Sequence, residues 1–566
     1  MNGFVRSAVK AKSNYLPPFS PRYRGRIFRA CMSAYLKKES VILKLMLLNL
    51  GGTTMSIVPL NRVMVGIFCC RKKGVIAMIY PNVEKLKEDI KGYKVHPVFY
   101  ELMSDSFTPV HVFKALQRGE ENAFILESVN NGAQWEKYSF IGINPVMEVI
   151  INKGTAKVIS EGKEETGKIT EPVSFLSGIL ENYTSPKLKN APNLTGGFVG
   201  YFGYDTVRYT ETKLVNVPED DTKMPDCHLF LYDELVAYDH LNSKVILIKN
   251  IRSDGDIDKQ YAEAQKRFLK LEDKINSYFE RPHSPGAEQE FTVNSNVTKE
   301  EFVENVEKAK EYILNGDIFQ IVLSQRFEIE NPPESFNVYR MLRANNPSPY
   351  LYYFKSRDYR IAGSSPEMLV SVKNGVVKTK PIAGTMPRGK TEEEDEALEK
   401  TLNGDEKERA EHTMLVDLGR NDVGKVSKFG TVEVTSFMKT EKYSKVMHLV
   451  SDVRGELRDD KTALDALMSV LPAGTLSGAP KVRAMELIDE LENKRRGLYG
   501  GTIGYIGFDG NINTCIAIRT VLFRNKKAYI QAGAGIVHDS VPEKEYQETK
   551  NKALAMINAI KEASAL

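Results

Sequence analysis

A chain of 566 residues, 42% hydrophobic and 27% charged, is long enough for a substantial core and more than one domain. Its net charge of +4 is uneven: residues 1–77 hold fourteen Lys and Arg against one acid, Glu39, a net +13, so the rest of the chain carries −9. A mildly acidic body offers no basic surface for nucleic acid, and the longest apolar run of the basic segment, Val41 to Leu50, is broken by Lys44 and too short to span a bilayer.

Residues 1–77 are rich in Arg, Lys and Ser and nearly free of acids, a composition that resembles an organellar transit peptide. The reading favoured here is a translation start at Met78, where Met-Ile-Tyr-Pro-Asn-Val-Glu opens ordinary globular sequence; location is then cytoplasmic, with an organelle as the alternative. The five cysteines, Cys31, Cys69, Cys70, Cys227 and Cys515, lack zinc-type spacing and fit a reducing compartment.

Residues 78–290 form a β-rich half. Phe124 to Val129 and Lys137 to Ile143 read as strands about a turn at Asn130-Asn131-Gly132. Gly196 to Asp205 reads as a glycine-and-aromatic strand pair. His228 to Tyr238 and Lys244 to Asn250 read as a hairpin. Cys227 and His228 suggest a nucleophile with its base, but neighbours on a strand face opposite ways, so both are assigned to structure. A polar helical stretch, 254–278, precedes a linker from Arg281.

Residues 291–566 carry the chemistry. Thr298-Lys-Glu-Glu301 is a capping box that opens a helix to about Asn315, and Gly316 to Phe327 turns into a strand. Glu408 and Glu411, at i and i+3 on one helix face with Asp405 as the cap, form a carboxylate pair. The closing stretch from Lys527 to Lys552 reads as strand, glycine loop and helix. Ala528 to Ala532 is the strand, Gly533 to Gly535 the loop, and Ser540 the N-cap. Glu545 and Glu548 form a second pair, with Lys552 one turn further on. A loop able to hold an anion beside carboxylates able to hold a cation suggests metal-assisted chemistry on a carboxylate- or phosphate-bearing substrate.

These segments, with Gly363-Ser-Ser-Pro-Glu367, Lys380-Pro-Ile-Ala-Gly-Thr385, Lys445 to Gly455 around His448, and Pro472 to Lys481, resemble the chorismate-utilising enzymes, nearest the anthranilate-forming branch, across about residues 95–560. The resemblance implies an α/β (α+β) fold, a large two-sheet sandwich with outer helices, in which 291–566 is the chorismate-binding catalytic domain. It implies a lyase subunit that converts chorismate and ammonia to anthranilate and pyruvate, the first committed step of tryptophan biosynthesis. Glu408, Glu411, Glu545 and Glu548 would gather around Mg²⁺. Four converging carboxylates repel one another unless a cation lies among them. Glu367 would be the general acid and His448 the histidine of pyruvate elimination, with Thr475 beside them. Gly384, Thr385, Tyr499, Arg519, Gly533, Ala534, Gly535 and Lys552 would bind the substrate. Sibling enzymes carry a lysine at the positions of Gln320 and Ala383, to activate water or to attack the ring. Here neither residue can, which leaves ammonia as the nucleophile. No cysteine lies in a glutaminase elbow, so ammonia would come from solution or from a glutamine amidotransferase subunit. Glu127, Ser128, Lys137, Pro349, Tyr350 and Leu351 resemble the family's tryptophan-inhibition site, with Glu127 and Ser128 receiving the ammonium group.

Overall fold

Strands buried along both faces need cover on both, and the chain supplies it. The computed structural model describes residues 79–566 except 131–133, 136, 280–285 and 444–445; the expectations for residues 1–77 and Met78 lie outside these. Gly197–Phe202, Cys227–Tyr232 and Glu234–Asp239 are buried at every position. They belong to two large antiparallel sheets, each of twelve strands. One core lies between the sheets, with Phe124, Tyr352 and Leu522 from the first meeting Tyr201, Tyr232 and Ile503 from the second. Helices cover the outer faces: Pro109–Leu116, Ile257–Ser277, Ser335–Asn345 and Pro542–Ala563 on the first, Pro172–Leu180, Glu406–Gly424 and Ala463–Val470 on the second. The two-sheet sandwich with outer helices is therefore observed.

The strand order shows how the two halves combine. In the first sheet five strands from before residue 290 run side by side and end at Ala123–Glu127, which pairs with Tyr350–Lys355 of the second half. In the second sheet five more end at Gly197–Phe202, which pairs with Thr502–Gly507. The halves meet at one ladder in each sheet and share both sheets.

Three local expectations change. Gly196 to Asp205 is one strand followed by the 3-10 turn Tyr204–Tyr209, not a strand pair. His228 to Tyr238 is two strands in different sheets, broken at Asp233; the hairpin is Glu234–Asp239 with Lys244–Arg252. Most consequentially, Gly533 to Gly535 form no loop. They lie inside the strand Lys527–Ile536, which pairs with Gln320–Glu330 along its length. The helix after it starts at Pro542 with Val541 as N-cap; the Ser540 hydroxyl instead accepts the Val537 N–H at 3.1 Å.

Candidate active site

Alternation along Gln320–Glu330 and Lys527–Ile536 puts Gln320, Val322, Gln531, Gly533 and Gly535 on the face turned to the second sheet, where they line a cavity of about 680 Å³. The helices Glu406–Gly424 and Pro542–Ala563 bring Glu408, Glu411, Glu545, Glu548 and Lys552 to it. Ile382–Pro387 and Val446–Glu456 add Ala383, Gly384, Thr385 and His448, the 3-10 turn Gly474–Leu476 adds Thr475, and loops add Glu367, Tyr499 and Arg519. Ala534 does not join them. It faces the other way, into an apolar cluster with Leu323 and Ile536, because neighbouring strand residues alternate.

The two glycines make room rather than a turn. A Cβ on Gly533 would lie 2.8 Å from the Tyr499 hydroxyl and 2.9 Å from the Leu323 carbonyl; one on Gly535 would lie 2.9 Å from Gln320 Nε2. The Gly533 carbonyl accepts from Lys552 Nζ at 3.0 Å. Its N–H leaves the strand on the same edge, as does that of Gly535 two residues on.

Glu367 is half-buried in the cavity wall, and burial pushes its carboxyl up to about 7, against the opposing pull of the Thr475 hydroxyl, which donates to Oε1 at 2.9 Å, and of Lys552. A carboxyl in that range holds a proton to donate at neutral pH. His448 takes the complementary state. A bulge between Ala383 and Thr385, with Gly384 at φ 64°, turns the Gly384 carbonyl onto His448 Nδ1 at 2.8 Å. A carbonyl only accepts, so Nδ1 carries the proton and Nε2 keeps its lone pair. Burial lowers the His448 pKa, which keeps the ring neutral. Arg519 holds φ 51°, uncommon for a residue other than glycine, and donates through Nη1 to the Lys552 carbonyl at 2.9 Å.

The carboxylate pairs face one another. Burial raises Glu408, and Glu411 and Glu548 add to the effect; burial raises Glu545, which bonds Ser540 and is pushed further by Glu548. Each pair has a polar partner: Gln320 Nε2 donates to Glu411 at 3.1 Å, and Lys552 meets Glu548 at 2.6 Å. Among the described residues no three such groups are close enough to cage a metal as they stand. The donor set still fits a hard divalent cation, being carboxylate oxygens that converge on one cavity, with Glu408 and Glu545 raised by burial and by their acidic neighbours.

Cys227 and His228 are structural. His228 bonds Glu148 and the Tyr359 hydroxyl, both at 2.8 Å, and burial pushes the Cys227 thiol well above its usual range.

A second cavity, about 230 Å³, lies between the sheets where the two halves meet. Glu127, Ser128, Lys137, Pro349, Tyr350 and Leu351 all line it. Glu127 is placed differently. Its side chain is fully buried and its carboxylate is held by Arg343, Tyr339 and Ser139, so it is not free for a ligand ammonium. Arg343 and Tyr339, on Ser335–Asn345, were not singled out from the sequence; an Arg four residues after a Tyr on a helix is too common a pattern to draw notice. Lys380 and Tyr443, which also line this cavity, were missed as well.

The model for chorismate binding enzymes matches residues 122–558. Anthranilate synthase component 1 of Acetivibrio thermocellus is 51% identical over 503 residues, 86% of this chain and 100% of that protein. The chloroplastic anthranilate synthase alpha subunit 1 of Arabidopsis thaliana is 40% identical over 95% of this chain and 96% of its own. The crystal structure of anthranilate synthase component I from Streptococcus pneumoniae TIGR4 superposes with a TM-score of 0.67 at 38% identity, covering 81% of this chain and 99% of that one. The chain belongs to the chorismate-binding enzymes and, within them, to the anthranilate synthase component 1 family. It is a chorismate-utilising lyase.

Proposed function

We propose that the enzyme forms anthranilate and pyruvate from chorismate and ammonia as the large subunit of a two-component synthase. The observation that carries this choice of product is the lining at Gln320 and Ala383. Both face the cavity, and neither side chain offers an amine to activate water or to attack the ring. Protonated Glu367 gives its proton to the departing 4-hydroxyl, since hydroxide is a poor leaving group. Neutral His448, with Nε2 open, takes the ring proton as the enolpyruvyl group leaves. Arg519, Tyr499 and the N–H groups of Gly533 and Gly535 suit one substrate carboxylate. Glu408, Glu411, Glu545 and Glu548 would hold Mg²⁺, which would neutralise the other substrate carboxylate.

Ammonia comes from solution or from a glutamine amidotransferase partner. Cys227 and Cys515 are both fully buried with raised thiol pKa values, Cys515 to about 12, which suits neither to glutamine hydrolysis. The second cavity takes tryptophan as a feedback inhibitor, with its ammonium group at Ser128 and main-chain carbonyls in place of Glu127. The enzyme works in the cytoplasm, or in an organelle if residues 1–77 address it there; among the described residues no helix is long and apolar enough to cross a membrane.

The test is an assay with chorismate, Mg²⁺ and ammonium at high pH, following anthranilate fluorescence with and without tryptophan. Anthranilate as product, and Ala383→Lys shifting it towards the 4-amino compound, are expected; aminodeoxychorismate from the unaltered enzyme overturns the reading. Ser128→Phe should keep activity and lose inhibition, and unchanged inhibition would remove Ser128 from the site.

A further inference from the structure

The two cavities share a wall. Pro366 lines both, Glu367 faces the larger and Met368 the smaller. A second connection crosses nearby. Lys380 and Tyr443 line the smaller cavity. Glu441 joins them: it takes the Lys380 ammonium at 2.7 Å and the Tyr443 hydroxyl at 2.9 Å. The Tyr443 ring then stands edge-on to the His448 ring, centroids 5.5 Å apart and planes at 64°. The backbone at Tyr443 is pinned, its N–H donating to the Val446 carbonyl at 2.8 Å and its carbonyl accepting from Arg388 at 2.6 Å. With the backbone fixed, the ring's position depends on what holds its hydroxyl.

The charges of the smaller cavity give that hydroxyl a control. Among the described residues its lining carries two ammonium groups, Lys137 and Lys380, and one carboxylate, Glu127, already held by Arg343. An occupant with a carboxylate is drawn to the cationic side, where it competes with Glu441 for Lys380.

We infer that Tyr443 is a positioning residue for His448, and that the chain Lys380–Glu441–Tyr443 makes the position of His448 depend on what fills the smaller cavity. When Lys380 turns to an occupant, Glu441 loses that ammonium, and its hold on the Tyr443 hydroxyl changes. The ring that backs His448 shifts, and Nε2 leaves its line to the substrate. The inference rests on the reading of the two cavities given under Proposed function.

Two variants test it, Glu441→Gln and Tyr443→Phe, the second keeping the ring and removing only the hydroxyl. Tryptophan binding is measured by calorimetry, and kcat and KM for chorismate with ammonium are measured with and without tryptophan. Both variants are expected to bind tryptophan within about threefold of the unaltered enzyme, yet to keep more than about half their activity at saturation, since a coupling of typically about 5–150-fold is lost when the chain is cut. Without tryptophan, kcat should fall several-fold and KM for chorismate should hold, which a general loss of structure would not give. Full inhibition at saturation in both variants overturns the chain. Loss of tryptophan binding in both also overturns it, by placing these groups in the binding site instead. An unaltered enzyme that binds no tryptophan overturns the cavity reading and this inference together.

Discussion

At the scale of single residues the site works by keeping two titratable groups in opposite states. Glu367 is held near 7 by burial and His448 is lowered by burial, so at neutral pH one carries a proton to give and the other a lone pair to take one. Glu367→Gln should lower kcat by about 10²–10⁴-fold with chorismate binding kept. The pH sign follows from Glu367 acting when protonated: kcat/KM for free NH₃ should fall as pH rises through about 7. Thr475 donates to Glu367 Oε1 and so favours the ionised form. Thr475→Val removes that bond, raises the carboxyl further and should move the falling limb to higher pH. A limb that stays in place or moves down would take the acid role away from Glu367. The second carboxylate-bearing group, the four-glutamate cluster, predicts a metal response. Mg²⁺ should raise the thermal midpoint at neutral pH, because a ligand that binds only the folded state stabilises it. Glu411→Gln should lose most of that rise, and an equal rise in the variant would place the ion elsewhere.

At the scale of elements the sequence was clear where local chemistry decides and silent where packing decides. The capping box at Thr298 and Glu301 and the Asp405 cap both form, since each depends on residues within one turn. The i, i+3 spacing of each glutamate pair puts its two members on one helix face for the same reason, whereas the meeting of the two pairs at one cavity is set by packing and was implied only by the family resemblance. The glycines of 533–535 misled, because a glycine that frees a turn and one that clears space inside a sheet look alike in a sequence. Only the partner strand and Tyr499 distinguish them. Glu127 misled too, since its partner Arg343 lies 216 positions away. The two glycines should respond differently to a methyl group. Gly533→Ala meets main chain at Leu323 and a buried phenol, so it should cost about 1–3 kcal/mol and lower the denaturation midpoint. Gly535→Ala meets the end of the Gln320 side chain, which can move. It should leave the midpoint nearly unchanged and lower the rate by displacing Gln320. Equal loss of stability in both would show that the sheet, and not the cavity, requires these glycines.

At the scale of the whole molecule the arrangement turns on two ladders. Among the described residues the N-terminal and C-terminal strands pair where Ala123–Glu127 meets Tyr350–Lys355 and where Gly197–Phe202 meets Thr502–Gly507, with one isolated bridge besides, between Glu219 and Lys494. All the groups assigned to catalysis lie after residue 290, yet the second half alone would expose both edges. Those edges bring apolar side chains with them, including Leu351, Tyr352 and Ile503, each buried in the whole chain. Unpaired edges of this kind drive aggregation. Residues 291–566 expressed alone should therefore be insoluble, although they hold every proposed ligand of the substrate. Co-expressed with residues 79–290, the same fragment should be soluble, co-purify with its complement and recover chorismate-dependent activity, because the break falls where residues 286–292 form no helix or strand. The smaller cavity lies on this seam, so the reassembled halves should also respond to tryptophan, and more weakly than the intact chain if the linker helps to hold the ladders together. A fragment of residues 291–566 that is soluble and active by itself would show that the first half is only an appendage, and that neither ladder is needed to shape the site.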